Sequence, residues 1–201
     1  MIVWLGPVAA HAGTDASGGA GPGLEQPPTA FAASIRVPGD YPTIQRAVVQ
    51  VQPGGMILIA PGVYEEEVTV TAPFITIRGE DRNRTIIDGG FERANGIQVI
   101  EADGVVIQNL TARNALLNGF SWQEVHGYWG SYLTAYNDGV HRLFAYASDG
   151  GQFDHSFASG HPDSGFSIGQ CYPCHAVIID VTATDNAAGP SPGPTPPETS
   201  R

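Results

Sequence analysis

Cationic side chains are scarce in this chain: its 201 residues hold nine Lys plus Arg against 20 Asp plus Glu, a formal net charge of -11. So little positive charge leaves no surface to neutralise phosphates, which excludes nucleic acid as a partner and favours cations or neutral and basic ligands. Long hydrophobic runs are missing as well, and no segment is long and apolar enough to span a bilayer. Sulfur is sparse, with Met1 and Met56 as the methionines and Cys171 and Cys174 as the cysteines. What the chain does hold is 26 Gly and 16 Pro, about a fifth of its residues, so turns must be frequent. The length suits one domain with a proper core.

The two ends differ in composition from the middle. Residues 1–12, M-I-V-W-L-G-P-V-A-A-H-A, carry an apolar run from Ile2 to Val8 and an A-x-A cleavage pattern at Ala10-His11-Ala12, but no basic start. They read as a partial secretion signal, followed by a flexible Gly/Pro/Ser linker over 13–34. Residues 189–201 form a Pro-rich tail that can join neither a ladder nor a core. That tail reads either as a linker or as the end of a truncated or frame-shifted product.

Between the ends, short β-branched runs recur: 56–60, 68–70, 75–78, 85–88, 97–100, 105–111 and 176–184, each bounded by Gly, Pro, Asn or Asp. That is a strand-and-turn signature. Segments starting at Gly104, Gly139 and Cys174 can be laid over one another as one unit repeated every 35 residues. Between Gly96 and Gly119 the unit closes in 23 residues, a length that suits one turn of a right-handed parallel β-helix, with three strands and three turns. A spacing of 35 then implies a turn carrying an insertion. About five coils, stacked at ~4.8 Å, would make a rod of about 25 Å. Before the first coil, Ile44, Ala47, Val48 and Val51 fall at i, i+3, i+4 and i+7, predicting an amphipathic helix over 41–51 that caps the solenoid's open end.

The stretches V-P-G-D-Y-P-T-I-Q-R-A-V, P-G-G-M-I-L-I-A-P-G-V-Y-E-E-E-V-T-V and I-T-I-R-G-E-D-R-N-R-T-I-I-D-G resemble the N-terminal part of right-handed parallel β-helix proteins of the pectin-lyase-like superfamily. G-S-Y-L-T-A-Y-N-D-G, D-G-G-Q-F-D-H-S-F-A-S-G and P-D-S-G-F-S-I-G-Q-C-Y-P-C look like a secreted bacterial, NosD-like group within it. The resemblance covers about 35–188 and implies an all-β solenoid in a secreted, extracellular or cell-envelope monomer. It leaves the chemistry open, because the superfamily includes lyases, esterases, hydrolases, epimerases and members without known activity. Gly62-Val63-Tyr64-Glu65-Glu66 resembles the G-x-Y-x-E box of pectin methylesterases, but the paired Asp and oxyanion-stabilising Gln of those enzymes are not visible. Without two placed carboxylates, de-esterification has no mechanism.

Two clusters carry candidate chemistry. Asp149, Asp154, His155, His161 and Asp163 could hold Ca²⁺ or serve as acid and base on a polysaccharide if their turns stack on one face. The competing expectation is that Asp simply closes turns. The second cluster is an aromatic segment read as an insertion: Phe120, Trp122, Tyr128, Trp129, Tyr132 and Tyr136. Sugar rings stack on such side chains, so these residues offer a glycan-binding face, unless they cover the core instead.

The pentapeptide C-Y-P-C-H, residues 171–175, matches a c-type haem attachment signature. A β-helix interior one side chain wide has no room for haem, and neither methionine is placed as an axial ligand. A Cys171–Cys174 disulfide ranks first, and a Cu(I) or Zn²⁺ site using Cys171, Cys174 and His175 second. Haem comes third. The expected function is binding or processing of a cell-surface glycan or polyuronide, as a lyase or hydrolase if an enzyme. The alternative is a non-catalytic scaffold or copper-handling protein.

Overall fold

The computed structural model describes residues 34–188, except for the side chains of residues 161–163, 187 and 188. The expected secretion signal, the linker up to residue 33 and the Pro-rich tail lie outside the described residues.

The described residues wind into a right-handed parallel β-helix of about six turns with one short helix. It opens with β1 (Ser34–Val37) and α1 (Ile44–Gln50). Three strands then make each coil. The first two coils are β2 (Met56–Ile59), β3 (Gly62–Tyr64), β4 (Val68–Val70) and β5 (Thr76–Gly79), β6 (Thr85–Asp88), β7 (Asn95–Ile100). The next two are β8 (Val106–Gln108), β9 (Thr111–Arg113), β10 (Asn118–Gln123) and β11 (Trp129–Ser131), β12 (Thr134–Tyr136), β13 (His141–Tyr146). The last are β14 (Gly151–Asp154), β15 (Phe157–Ser164), β16 (Phe166–Gly169), then β17 (Ala176–Ile179) and β18 (Thr182–Ala188). Equivalent strands pair in parallel, giving sheets of seven strands (β1-β2-β5-β8-β11-β14-β17), five (β16-β13-β10-β7-β4) and six (β18-β15-β12-β9-β6-β3).

The expected helix is present with its predicted face inward: Ile44, Ala47, Val48 and Val51 are all buried. Its start is fixed by polar contacts. Thr43 Oγ1 accepts from the Arg46 N–H at 3.2 Å, and the Glu66 carboxylate accepts from the N–H groups of Ile44 and Gln45, both at 3.0 Å. These bonds satisfy donors that a helix N-terminus leaves open. The Gln45 side chain then clamps β4, accepting from Thr69 N–H at 2.7 Å and donating to its carbonyl at 3.1 Å. The Gly-Val-Tyr-Glu-Glu box is therefore structural in this fold, since Tyr64 also ties its hydroxyl to the Ala60 carbonyl.

The 35-residue repeat is corrected to 23 in the central coils, where Val106, Trp129 and Gln152 are register partners, as are Phe120 and Leu143. The segments from Gly104 and Cys174 belong to the seven-stranded sheet three coils apart, whereas that from Gly139 enters the five-stranded sheet. Thirty-five residues is one coil plus half of the next, which brings one strand pattern over another on a different side. The aromatic segment is no insertion but an ordinary coil. Residues 105–111 and 176–184 are each two strands, broken at corners where Asn109 and Asp180 take positive φ of 57° and 52°.

Inside, equivalent positions stack into rows. One runs Val68, Ile97, Phe120, Leu143, Phe166 and the next Val70, Val99, Trp122, Ala145, Ile168. Early coils fill the column with Val and Ile; later coils use aromatics. Trp122, Tyr128 and Phe153 meet with ring centroids 5.3–5.8 Å apart. Gly130 makes room for them, since a Cβ there would lie 3.0 Å from both Phe153 and Trp122.

Candidate functional site

The seven-stranded sheet buries alternate residues and turns the others outward. Parallel register stacks the outward residues into two rows along the solenoid. One row is Thr76, Val106, Trp129, Gln152, Val177; the other is Arg78, Gln108, Ser131, Asp154, Ile179. A third row follows at the corner into the six-stranded sheet, where Asn109, Tyr132, His155 and Asp180 all have positive φ. Trp129 is 41% exposed and Tyr132 49%.

Asp154 is the polar centre of this face. It is 3% exposed, yet its carboxylate is filled with donors. Trp129 Nε1 donates to Oδ2 at 2.6 Å and Gln152 Nε2 to the same oxygen. Ser131 Oγ and His155 Nδ1, the latter at 3.1 Å, donate to Oδ1. A carboxylate has about four lone-pair sites, so none is left for a substrate atom. Burial pushes the Asp154 carboxyl up, but the bonds from Ser131, Gln152, Trp129 and His155 outweigh it and hold it below the ordinary range. An ionised, saturated carboxylate is neither a nucleophile nor a proton donor. It locks the Trp129 indole and the His155 imidazole in place.

The His155 ring lies on Tyr132 with centroids 4.7 Å apart and planes 14° from parallel, and its Nε2 faces Asp180 Oδ2 at 3.8 Å. Beside this stack is a shallow depression of ≈ 360 Å³ lined by Arg78, Gln108, Asn109, Trp129, Ser131 and Tyr132. The Arg78 side chain is exposed and takes part in none of the ion pairs or side-chain hydrogen bonds of the described residues. The face thus presents an aromatic platform, amides and one unpaired cation.

The structure brings together Asp154, His155, Trp129 and Tyr132 and separates the other sequence candidates. Trp122 and Tyr128 are buried in the core at 0% and 1% exposure and offer no ring to a ligand. Phe120 is buried with them. Tyr136 lies on the six-stranded sheet, where its hydroxyl accepts from Arg113 Nη1 at 3.2 Å beside the Arg113–Asp88 pair at 2.7 Å. Asp149 sits at the opposite end of β14 from Asp154 and accepts from the His175 backbone N–H at 2.6 Å, with His175 Nδ1 3.1 Å away. The side chains of His161 and Asp163 lie outside the described residues.

Cys171 and Cys174 form a disulfide. In this bonded form neither sulfur is a thiolate free to ligate copper or zinc or to attach haem. Among the described residues no group of three His, Cys, Asp or Glu side chains is arranged to hold a metal ion.

Arg78 and Gln108 escaped the sequence reading. A 23-residue stacking links Gln108 to Ser131 and Asp154, but Arg78 precedes Gln108 by 30 positions because the second coil has a longer corner and loop.

No family model matches the sequence, and no curated protein matches it. Solved structures do resemble the fold. A protein described as Geobacillus virus E2 ORF18 aligns with a TM-score of 0.54 at 14% identity, over 76% of this chain and 40% of that one. Pectin methylesterase PemA from Erwinia chrysanthemi aligns with a TM-score of 0.48 at 15% identity, over 75% and 67% of the two chains. Pectin methylesterase from Aspergillus niger gives 0.42 at 12%, over 80% and 86%. At 14% identity the likeness to the viral protein is one of fold alone.

Proposed function

We propose that this chain binds an acidic polysaccharide, a uronate-containing glycan, on the outer face of its seven-stranded sheet. The observation that carries the proposal is the convergence of exposed Trp129 and Tyr132 with unpaired Arg78 around one depression. A sugar ring presents an apolar C–H face that stacks on the Trp129 indole, and its carboxylate matches the fork of the Arg78 guanidinium. Gln108, Asn109 and Gln152 lie within the same rows and suit sugar hydroxyls. In a strongly acidic chain, an unpaired arginine beside an aromatic platform gives a carboxylate a favourable partner. The saturated Asp154 supports binding over chemistry at this face. The NosD-like resemblance and the Cys171–Cys174 bond suit a protein working outside the cell or in its envelope.

Calorimetry with oligogalacturonate as the probe tests this. Trp129→Ala and Arg78→Ala are each expected to weaken affinity about tenfold or more, equivalent to ~1.4 kcal/mol. Arg78→Ala should also flatten the salt dependence, because the lost contact is ionic. Tyr146→Ala, on the five-stranded sheet, should leave affinity unchanged. Equal binding by all three variants would refute the assignment of this face.

A further inference from the structure

We infer that Arg82 is a positioning residue for the binding face, a role that rests on the glycan reading and adds a residue lying outside the depression. Arg82 follows β5 in the corner of the second coil, where five residues, 80–84, separate β5 from β6. Later coils turn the same corner with two: Asn109-Leu110, Tyr132-Leu133 and His155-Ser156. The longer corner supplies an arm that runs along the solenoid axis across two later coils. Its guanidinium donates from Nε to Thr134 Oγ1 at 2.7 Å, from Nη2 to the Leu133 carbonyl at 2.6 Å and from Nη1 to the His155 carbonyl at 3.1 Å. At the root of the arm, Thr111 Oγ1 donates to the Arg82 carbonyl at 2.7 Å, anchoring it to the coil between.

The residues tied down are those that hold the stacked rings. Tyr132 and His155 have φ of 51° and 46°, a left-handed conformation that costs an ordinary residue ~1 kcal/mol. Such a corner persists only when its surroundings over-determine it. The Leu133 carbonyl follows Tyr132, and the His155 carbonyl belongs to the next corner of the stack. One planar, permanently charged group bonded to both fixes the spacing between successive corners and so the alignment of the Tyr132 ring with the His155 ring. A lysine at position 82 would keep the charge but could not present the three-donor fork.

The test reads His155 ring protons by NMR in the intact protein, without ligand. In the wild type, stacking on Tyr132 should shift them upfield. Arg82→Ala should remove that shift while amide signals of the other two corners keep their positions, and Arg82→Lys should recover part of it. Oligogalacturonate affinity should fall about fivefold in Arg82→Ala, with partial rescue in Arg82→Lys. Unchanged His155 signals in both variants would overturn the positioning role, and so would general loss of structure in both, which would make Arg82 a staple of the whole solenoid. Failure of the wild type to bind the probe would count against the glycan reading instead, because the ring-proton shifts are read without it.

Discussion

Replacing Gly139 by alanine is expected to remove at least ~4 kcal/mol of stability, a loss few single substitutions reach. A Cβ at this position would stand 1.8 Å from the carbonyl oxygen and 2.6 Å from the carbonyl carbon of Leu116, one coil earlier. Those atoms are backbone, and they cannot yield. The Gly139 N–H donates to the Ala115 carbonyl at 2.8 Å and the Val140 N–H to that of Leu117 at 2.6 Å, so the two coils are bonded to each other on both sides of the clash. Relief would require moving these two stacked corners apart against those bonds. Gly127→Ala is the control: its φ is +70°, yet no atom lies within 4 Å of the added carbon. That variant should lose only ~1 kcal/mol, the cost of the left-handed backbone alone. Urea unfolding of both measures the difference, and near-equal midpoints would show that coil stacking tolerates side chains at this contact.

The second large effect is a stability that falls as pH rises from about 4 to about 7. Burial pushes the Asp138 carboxyl up to about 7, against the opposing pull of the Ala115 N–H and the nearby Arg142 charge. Its Oδ1 accepts from Ala115 N–H at 3.0 Å, while Oδ2 has no hydrogen-bond partner among the described residues. Arg142 is committed elsewhere, donating to the backbone carbonyls of Asp138, Ser159 (3.1 Å) and Gly160 (2.6 Å). The folded chain therefore keeps the Asp138 proton over a range in which the unfolded chain has released it. Unfolding sheds a proton there, so stability is greatest below the unfolded value of 3.8, declines through the window and levels off above about 7. A shift of about three units corresponds to an upper figure of ~4 kcal/mol. Asp138→Asn keeps the acceptor for Ala115 and cannot ionise. It should match the wild type most closely below pH 4 and exceed it by a margin that widens up to about pH 7 in urea midpoint. Asp88, Asp149 and Asp154, all held below the ordinary carboxylate range, act in the opposite sense, and only at lower pH. A wild type that gains stability relative to Asp138→Asn between pH 5 and 8 would contradict the buried, protonated carboxyl.

The solenoid was legible in its β-branched strands and in its capping helix. Residues 85–88 and 68–70 were read with the bounds observed, because Val, Ile and Thr fill the narrow early coils. Asn118–Gln123, Gly151–Asp154 and Phe166–Gly169 were not read as strands, since the later coils fill the same column with Phe and Trp and turn Ser, Gln and Asp outward. Corners hid for a related reason. Asn109, Asp180 and His155 are of types that favour the left-handed region, but Tyr132 adopts the same backbone with no propensity to announce it. Half of the face was visible as residue types: Trp129, Tyr132, Asp154 and His155 were named from aromatic and Asp/His content. Which rings point out was not, because that depends on register. Trp122 and Trp129 are seven residues apart on different strands and face opposite ways.

The most direct measurement is an NMR titration of the full chain with oligogalacturonate, following the indole N–H signals of Trp122 and Trp129 and the side-chain N–H of Arg78. Binding at the outer face predicts saturable movement of Trp129 and Arg78, with the buried Trp122 indole still. No saturable movement of Trp129 or Arg78, or movement centred on Phe144 and Tyr146 of the five-stranded sheet, would contradict it.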